Sequence, residues 1–185
     1  MESNNIKSVY FVGIGGIGMS ALARYFKQMG YLVAGYDKTP SPLTRKMERE
    51  EGFAITYEDD ARNVGNLYRD KSSTLVVYTP AIPKDNRILT FFRENGYFLH
   101  KRAEVLGIVS RSKKALCVAG THGKTTTTTL LAFLLKNSSV GCSAFLGGIS
   151  SNFNSNLLID SDSEYVVIEA DEFDRSFLRL RPEMA

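Results

Sequence analysis

The chain has 185 residues, of which 43% are hydrophobic and 23% are charged, a composition typical of a globular protein rather than a disordered or fibrous one. This length accommodates one domain or two small ones and excludes three complete domains. The 23 basic and 20 acidic residues are scattered, and the chain has neither a signal peptide nor an apolar run long enough to span a membrane, so we expect a cytoplasmic protein with no nucleic-acid or membrane partner.

Short apolar runs alternate with amphipathic segments in the first hundred residues. The runs predicted to be strands are residues 9–12, 31–36, 53–56, 75–78 and 97–99, and those predicted to be helices are 19–29 and 86–94. Alternating strands and helices are typical of βαβ units. The fold class predicted for this part is therefore α/β, with a doubly wound parallel sheet.

The pattern starts again after a polar cluster at residues 110–114. A helix over residues 102–109 precedes the cluster, and a new strand over 115–119 follows it. We therefore predict two domains, residues 1–110 and 111–185. In the second domain the predicted elements are a helix at 124–136, a strand at 143–146, a polar loop at 147–156 and a strand at 165–168. Cys117 and Cys142 lie in apolar segments without metal-ligand spacing, so we expect buried thiols.

A glycine-rich loop, residues 13–18, follows the first strand and precedes a helix. Its Gly-x-Gly-x-x-Gly pattern lets the backbone approach a diphosphate at the helix N-terminus, with Gly15 and Gly16 nearest. Asp37 ends the second strand, where such folds place a ribose-binding carboxylate. The other interpretation is that these glycines only allow the helix to pack closely on the strand.

A second loop, residues 120–126, also connects an apolar strand to a helix and resembles a Walker A loop. In that geometry backbone N–H groups surround the phosphates, Lys124 contacts the terminal ones, and the Thr125 hydroxyl ligates magnesium. The pattern departs from the full motif at Val118, where glycine is usual. A purely structural role is the alternative.

An acidic cluster follows the last predicted strand. Glu169 ends that strand, where a nucleotide-bound magnesium finds its acidic ligand. The roles of Asp171, Glu172 and Asp174 stay open between catalysis, ligand support and surface, and that of His122 between oxyanion contact and loop support. Two phosphate-binding loops in one chain indicate two phosphorylated ligands, a nucleoside diphosphate compound and ATP.

Three segments together resemble the Mur ligase family, namely residues 13–20, 120–126 and 169–172. The resemblance extends to residues 78–83 with Asn86 and to residues 101–104, so it covers nearly the whole chain. It implies an ATP-dependent ligase of peptidoglycan synthesis, in which ATP phosphorylates the carboxylate of UDP-N-acetylmuramate and L-alanine displaces phosphate from the acyl phosphate. The fold it implies is a Rossmann-like N-terminal domain followed by the start of a P-loop-type ATP-binding domain.

The resemblance also implies a role for each candidate residue. Catalysis would depend on Lys124 and Glu169, and magnesium ligation on Thr125 and Glu169. The residues expected to bind the UDP compound are Gly13, Gly15, Gly16, Ile17, Gly18, Met19, Ser20, Asp37, Thr79 and Ala81. Those expected to bind ATP are Gly120, Thr121, His122, Gly123, Lys124, Thr125 and Thr126.

Members of the family continue into an Asp-His segment and a third domain that this sequence does not contain. About 70 residues follow Lys113, about half of an ordinary ATP-binding domain, so we expect a fragment that binds the UDP compound weakly and has no ligase turnover. Three alternatives remain: a sister ligase that attaches a peptide to the same sugar, an NAD-dependent dehydrogenase and a non-catalytic nucleotide-binding module. The sequence does not predict the oligomeric state.

Overall fold

A computed structural model of the chain describes residues 5–170 and 177–185. The chain divides into two compact units, Met1–Arg102 and Ala103–Ala185. This division falls after Arg102, the first residue of the helix that the sequence assigns to the first domain. The helix packs within the second unit, because a side chain at Gly107 would lie 2.5 Å from the backbone oxygen of Arg179. Glu104 of the same helix forms a 3.7 Å ion pair with Arg179.

The first unit is a five-stranded parallel sheet with the strand order β3-β2-β1-β4-β5. Its strands are β1 (Ser8–Val12), β2 (Leu32–Tyr36), β3 (Ala54–Thr56), β4 (Thr74–Tyr78) and β5 (Leu99–Lys101). Its helices are α1 (Ile17–Gln28), α2 (Pro42–Arg49) and α3 (Arg87–Glu94). This order is that of a Rossmann-like sheet and confirms the predicted fold class.

Helices cover both faces of this sheet. Successive residues of a strand point to opposite faces, and the neighbouring residues Tyr10 and Phe11 of β1 pack against different helices. The ring of Tyr10 lies 5.0 Å from that of Phe92 in α3, and the ring of Phe11 lies 6.2 Å from that of Phe26 in α1. Strand β1 is consequently buried along its whole length, which explains its uninterrupted apolar sequence.

The second unit is a four-stranded sheet with the order β6-β9-β7-β8. Its elements are α4 (Arg102–Ser110), β6 (Lys114–Val118), α5 (Lys124–Lys136), β7 (Ser143–Ser150), β8 (Ser155–Leu158) and β9 (Tyr165–Glu169). Strands β6, β9 and β7 are parallel, whereas the edge strand β8 runs antiparallel to β7. Because β9 lies between β6 and β7, its C-terminal end is adjacent to the loop that follows β6.

One segment differs from the sequence-based prediction. Residues 147–156, predicted to be a polar loop, contain the end of β7 and the start of β8. Among the described residues, β7 no longer pairs with β9 here and has β8 as its neighbour, so polar and glycine residues are tolerated at this edge. Helix α2 begins at Pro42, shortly after β2. Ser41 caps helix α2 there, accepting a hydrogen bond from the Thr44 N–H, and Pro42 occupies the first turn, where it needs no partner for a backbone N–H.

The described residues can be compared with the predictions about membrane spans and about the two cysteines. Over residues 5–170 and 177–185, no helix has both the length and the apolar character to cross a bilayer. Cys117 and Cys142 are buried thiols, as the sequence predicts. Burial raises the pKa of both, and that of Cys142 reaches about 11, so neither is a reactive thiolate at neutral pH.

Candidate functional site

The glycine-rich loop lies where the strand order of the first sheet reverses. It leaves the C-terminal end of β1, and the turn containing Thr79 leaves the adjacent end of β4. Ligands bind at this switch point in open α/β sheets. Gly13 has a positive φ of 92°, and a side chain there would lie 2.6 Å from the Thr79 methyl group. The close approach of the two turns therefore requires glycine at position 13.

Asp37 and the glycine loop are directly linked. The Gly15 N–H donates a 2.7 Å hydrogen bond to Oδ2 of Asp37, and the Thr39 N–H donates one of 3.2 Å to Oδ1. A side chain at Gly15 would lie 2.8 Å from Asp37 Oδ2 and 2.6 Å from a Thr44 carbon. The Gly15 N–H thus bonds to the carboxylate of Asp37, and the approach of the Gly15 backbone to a diphosphate stays a prediction.

The N-terminus of α1 provides the other backbone donors of this loop. The helix is capped by Gly16, whose lack of a side chain leaves no capping hydrogen bond, and its first internal bond runs from the Ser20 N–H to the Gly16 oxygen at 2.8 Å. Met19 has a buried side chain, so it would meet a ligand through its backbone, while Ile17 is exposed. The side chain of Ser20 is buried and its N–H is already bonded within the helix. The end of α1 therefore presents the positive pole of the helix dipole without a capping side chain.

Helix α3, which also follows a strand of this sheet, has a different N-terminus. Asn86 accepts a 2.8 Å hydrogen bond from the Leu89 N–H, and Asp59 accepts bonds of 3.0 and 3.1 Å from the N–H groups of Arg87 and Ile88. These side chains satisfy the donors that a phosphate would otherwise contact. Asn86, part of the family resemblance, is thus a helix cap in this structure.

The site prediction omitted Arg102, which lies beside the start of α1. A side chain at Gly18 would lie 2.7 Å from Nη1 and 3.1 Å from Cδ of Arg102, so the arginine packs against the glycine backbone. A guanidinium next to the positive end of a helix is favourable when an anion lies between them. Its place within residues 101–104, one of the segments that carry the family resemblance, was the available sequence signal.

The loop at residues 120–124 connects β6 to α5. Gly120 and Gly123 have positive φ angles of 143° and 75°, which only glycine adopts readily, and Gly123 is the uncapped N-terminal residue of α5. Nζ of Lys124 donates a 2.7 Å hydrogen bond to the Gly120 oxygen, across the loop. Thr121, His122, Thr125 and Thr126 are exposed, so a ligand can reach the loop from solvent.

Glu169 brings the end of β9 to this loop. Thr125 Oγ1 donates a 3.0 Å hydrogen bond to Oε1 of Glu169. This spacing equals the separation of about 3 Å between adjacent oxygen ligands of an octahedral Mg²⁺ with bonds of about 2.0–2.1 Å. A hydroxyl and a carboxylate are also the hard oxygen ligands that Mg²⁺ prefers. The two residues therefore fit the magnesium role predicted for them.

The sequence offers three further acidic candidates for this site. Asp171, Glu172 and Asp174 lie outside the described residues. Within the part of the chain that is described, no group of three or more His, Cys, Asp or Glu side chains is placed to hold a metal ion. A magnesium ion held by Thr125 and Glu169 would thus complete its shell with phosphate oxygens and water, as nucleotide-bound Mg²⁺ usually does.

Comparison with known proteins gives consistent matches. The family model described as "Mur ligase family, catalytic domain" matches residues 8–114, more than half of the chain. The UDP-N-acetylmuramate–L-alanine ligase of Phocaeicola vulgatus is 59% identical over 182 residues, which are 98% of this chain and 40% of that protein. The protein of the same name from Porphyromonas gingivalis W83 is 58% identical over 180 residues, 97% of this chain and 39% of the relative. The chain thus spans about 40% of the length of these relatives.

Solved structures agree with the sequence matches. The UDP-N-acetylmuramate:L-alanyl-gamma-D-glutamyl-meso-diaminopimelate ligase of Neisseria meningitides superposes with a TM-score of 0.86 at 27% identity, covering 97% of this chain and 59% of that one. The UDP-N-acetylmuramate-alanine ligase of Thermotoga maritima gives a TM-score of 0.83 at 32% identity, with coverage of 95% and 39%. From its sequence and its fold, the chain belongs to the Mur ligase family.

Proposed function

We propose that the chain is part of a cytoplasmic ATP-dependent ligase that joins L-alanine to the carboxylate of UDP-N-acetylmuramate. The observation that carries this proposal is the Thr125–Glu169 pair beside the Lys124 loop, an arrangement suited to magnesium-bound ATP. The identity of the acceptor and the amino acid rests on relatives at 58% and 59% identity, which are named for this reaction.

In this proposal the first unit binds the UDP compound. The diphosphate lies against the N-terminus of α1, where the helix dipole and the Arg102 guanidinium both favour negative charge. Asp37 is held by the N–H groups of Gly15 and Thr39 at the end of β2, the position at which a carboxylate contacts ribose hydroxyls in this topology. Thr79 and Ala81 border the nucleotide from the end of β4.

The second unit binds ATP. Backbone N–H groups of the loop surround the phosphates, and Lys124 exchanges its bond with the Gly120 oxygen for one with a terminal phosphate oxygen. Thr125 and Glu169 hold the magnesium ion, which when bound neutralises charge on the phosphates. Because the loop and the Thr125–Glu169 pair are already formed, the site stabilises the developing charge without reorganising at the moment of reaction.

The reaction then has two steps. A carboxylate oxygen of the muramate attacks the γ-phosphorus of ATP, forming an acyl phosphate and releasing ADP. The neutral amino group of L-alanine attacks the acyl carbon, the C–O bond to phosphate breaks, and the amide forms with loss of a proton. Lys124 acts in the first step by stabilising charge on the transferred phosphoryl group.

A second candidate is the sister ligase that attaches a peptide to the same sugar, which the Neisseria structure exemplifies by its name. The higher identity to the L-alanine ligases favours L-alanine. A dehydrogenase would use the glycine loop and Asp37 but would leave Lys124, Thr125 and Glu169 without a role. We therefore infer a ligase rather than an oxidoreductase.

A chimera tests this function. The chain replaces the matching 40% of the Phocaeicola vulgatus relative, and the chimera is assayed for UDP-N-acetylmuramoyl-L-alanine in the presence of ATP, Mg²⁺ and L-alanine. We expect turnover that depends on ATP and is abolished by Lys124→Ala. A soluble, folded chimera without turnover, or turnover unaffected by Lys124→Ala, would contradict the proposal.

A further inference from the structure

Gly147, in the second half of β7, contacts the carboxylate of Glu169 at the oxygen that Thr125 does not contact. The Gly147 N–H donates a 3.0 Å hydrogen bond to Oε2 of Glu169, while Thr125 Oγ1 donates one of 3.0 Å to Oε1. Both carboxylate oxygens therefore have a fixed donor. Because both oxygens accept a hydrogen bond, helix α5 and strand β7 together fix the plane of the carboxylate.

The geometry of the sheet allows the N–H of Gly147 to bond to the side chain of Glu169. The pairing of β7 with β9 ends at Phe145 and Ile168, so the backbone of Gly147 lies beyond the last paired residues of the two strands. An irregularity between Phe145 and Ser150 also interrupts the pairing of β7 with β8. The N–H of Gly147 consequently bonds to a side chain instead of a neighbouring strand.

The absence of a side chain at position 147 is as important as its N–H. A Cβ atom there would overlap Oε2 of Glu169 and would lie 2.5 Å from Cδ and 2.6 Å from Oε1. These distances are shorter than 3.0 Å, below which real Cβ atoms essentially never approach another atom. At the next residue, Gly148, a Cβ atom would lie 3.5 Å from the methyl carbon of Thr125, an ordinary van der Waals contact. Adjacent glycines thus differ sharply in their tolerance of a methyl group.

We propose that Gly147 is a positioning residue for the magnesium ligand Glu169. The inference rests on the proposed magnesium-ATP site and assigns a role to a residue outside both phosphate-binding loops. Its N–H and its lack of a side chain together keep the carboxylate turned toward Thr125. A methyl group at position 147 displaces the flexible end of Glu169 and leaves the strand in place, so the fold persists while the ligand geometry is lost.

The test compares Gly147→Ala with Gly148→Ala in the 185-residue chain. Calorimetry measures two ATP affinities, one in excess Mg²⁺ and one in EDTA. The ratio of the first affinity to the second reports how strongly the metal supports ATP binding. We expect Gly147→Ala to reduce this ratio by about tenfold or more, the usual effect of removing a group that orients a metal ligand, with the EDTA affinity unchanged. Gly148→Ala should keep the wild-type ratio.

A second variant separates positioning from a general change in the strand. Glu169→Asp withdraws the carboxylate by one methylene and makes room for a methyl group at position 147. The double variant Gly147→Ala/Glu169→Asp should therefore lower the ratio of ATP affinities in Mg²⁺ and in EDTA by a smaller factor than the product of the factors found for the two single variants. Strict additivity, or a wild-type ratio in Gly147→Ala alone, would overturn this inference and leave the proposed function standing. If the wild-type chain binds ATP equally with and without Mg²⁺, the proposed site and this inference both fail.

Discussion

The hydroxyl of Thr125 donates a 3.0 Å hydrogen bond to the carboxylate of Glu169, although 44 residues separate them in the chain. The contact exists because β9 lies next to β6, so the end of one strand meets the loop that follows the other. The two oxygen atoms that we propose as magnesium ligands are thereby brought together next to the loop that carries Lys124. The proposed ATP site depends on this pairing more than on either motif alone.

Glu169→Gln tests the charge of the proposed metal ligand. Glutamine keeps an oxygen that accepts from Thr125 or Gly147 but removes the negative charge that attracts Mg²⁺. We expect the Mg²⁺-dependent part of ATP affinity to fall by at least about tenfold, measured by calorimetry. Glu164→Gln is the matched control, because Glu164 forms an exposed ion pair with Lys114 just before β9. Equal losses in both variants would contradict the assignment.

Lys124→Ala tests the phosphate-binding loop. The variant removes the ammonium proposed to contact a terminal phosphate, and the loss of a charge-assisted hydrogen bond of about 1.5–3 kcal/mol corresponds to a decrease of about 10- to 100-fold in ATP affinity. Lys136→Ala, at the other end of α5, should bind ATP as the wild type does. An unchanged affinity in Lys124→Ala would show that the loop is not the ATP site.

Gly15→Ala tests the link between the glycine loop and Asp37. The methyl group would lie 2.6 Å from a Thr44 carbon and 2.8 Å from Asp37 Oδ2, so the loop and the carboxylate must move apart. We expect binding of UDP-N-acetylmuramate to weaken by about tenfold or more, with ATP binding unaffected. Gly65→Ala, whose methyl group would be 3.7 Å from the Tyr68 ring, serves as control. Wild-type binding by Gly15→Ala would refute the predicted position of the nucleotide.

Arg102→Ala tests the electrostatic part of the diphosphate site. Removing the guanidinium beside Gly18 should weaken the binding of UDP-N-acetylmuramate and make it less sensitive to salt, because one cation–anion attraction is lost. Titrations at low and high ionic strength measure both effects. Arg93→Ala removes an exposed charge from α3 and should change neither. If the two variants behave alike, Arg102 has no special relation to the diphosphate.

Much of the fold is predictable from sequence because its signals are local. The apolar run of β1, the glycines after it and the helix that follows are contiguous, and the same is true of β6, the loop at residues 120–124 and α5. Glu169 was also predictable, since it ends a clear strand. Segments of this kind require only the periodicity and turn chemistry of neighbouring residues.

The contacts between distant segments were not predictable in this way. Gly147 lies in a polar, glycine-containing stretch that favours a loop, and its function depends on a strand 22 residues later. In the sequence Arg102 is one of many scattered basic residues, whereas in the structure β5 places it beside Gly18. The hydrogen bond of Gly15 to Asp37 likewise depends on the pairing of β1 with β2. Strand order, which sequence patterns do not specify, determines all three contacts.

The most direct test of the central claim is calorimetry of the 185-residue chain with three ligands. We expect one binding event for UDP-N-acetylmuramate and a separate one for ATP that Mg²⁺ strengthens, with no heat of binding for NADH. Lys124→Ala should weaken only the ATP event and Gly15→Ala only the UDP-sugar event. Binding of NADH without a response to UDP-N-acetylmuramate or to magnesium-ATP would contradict the account.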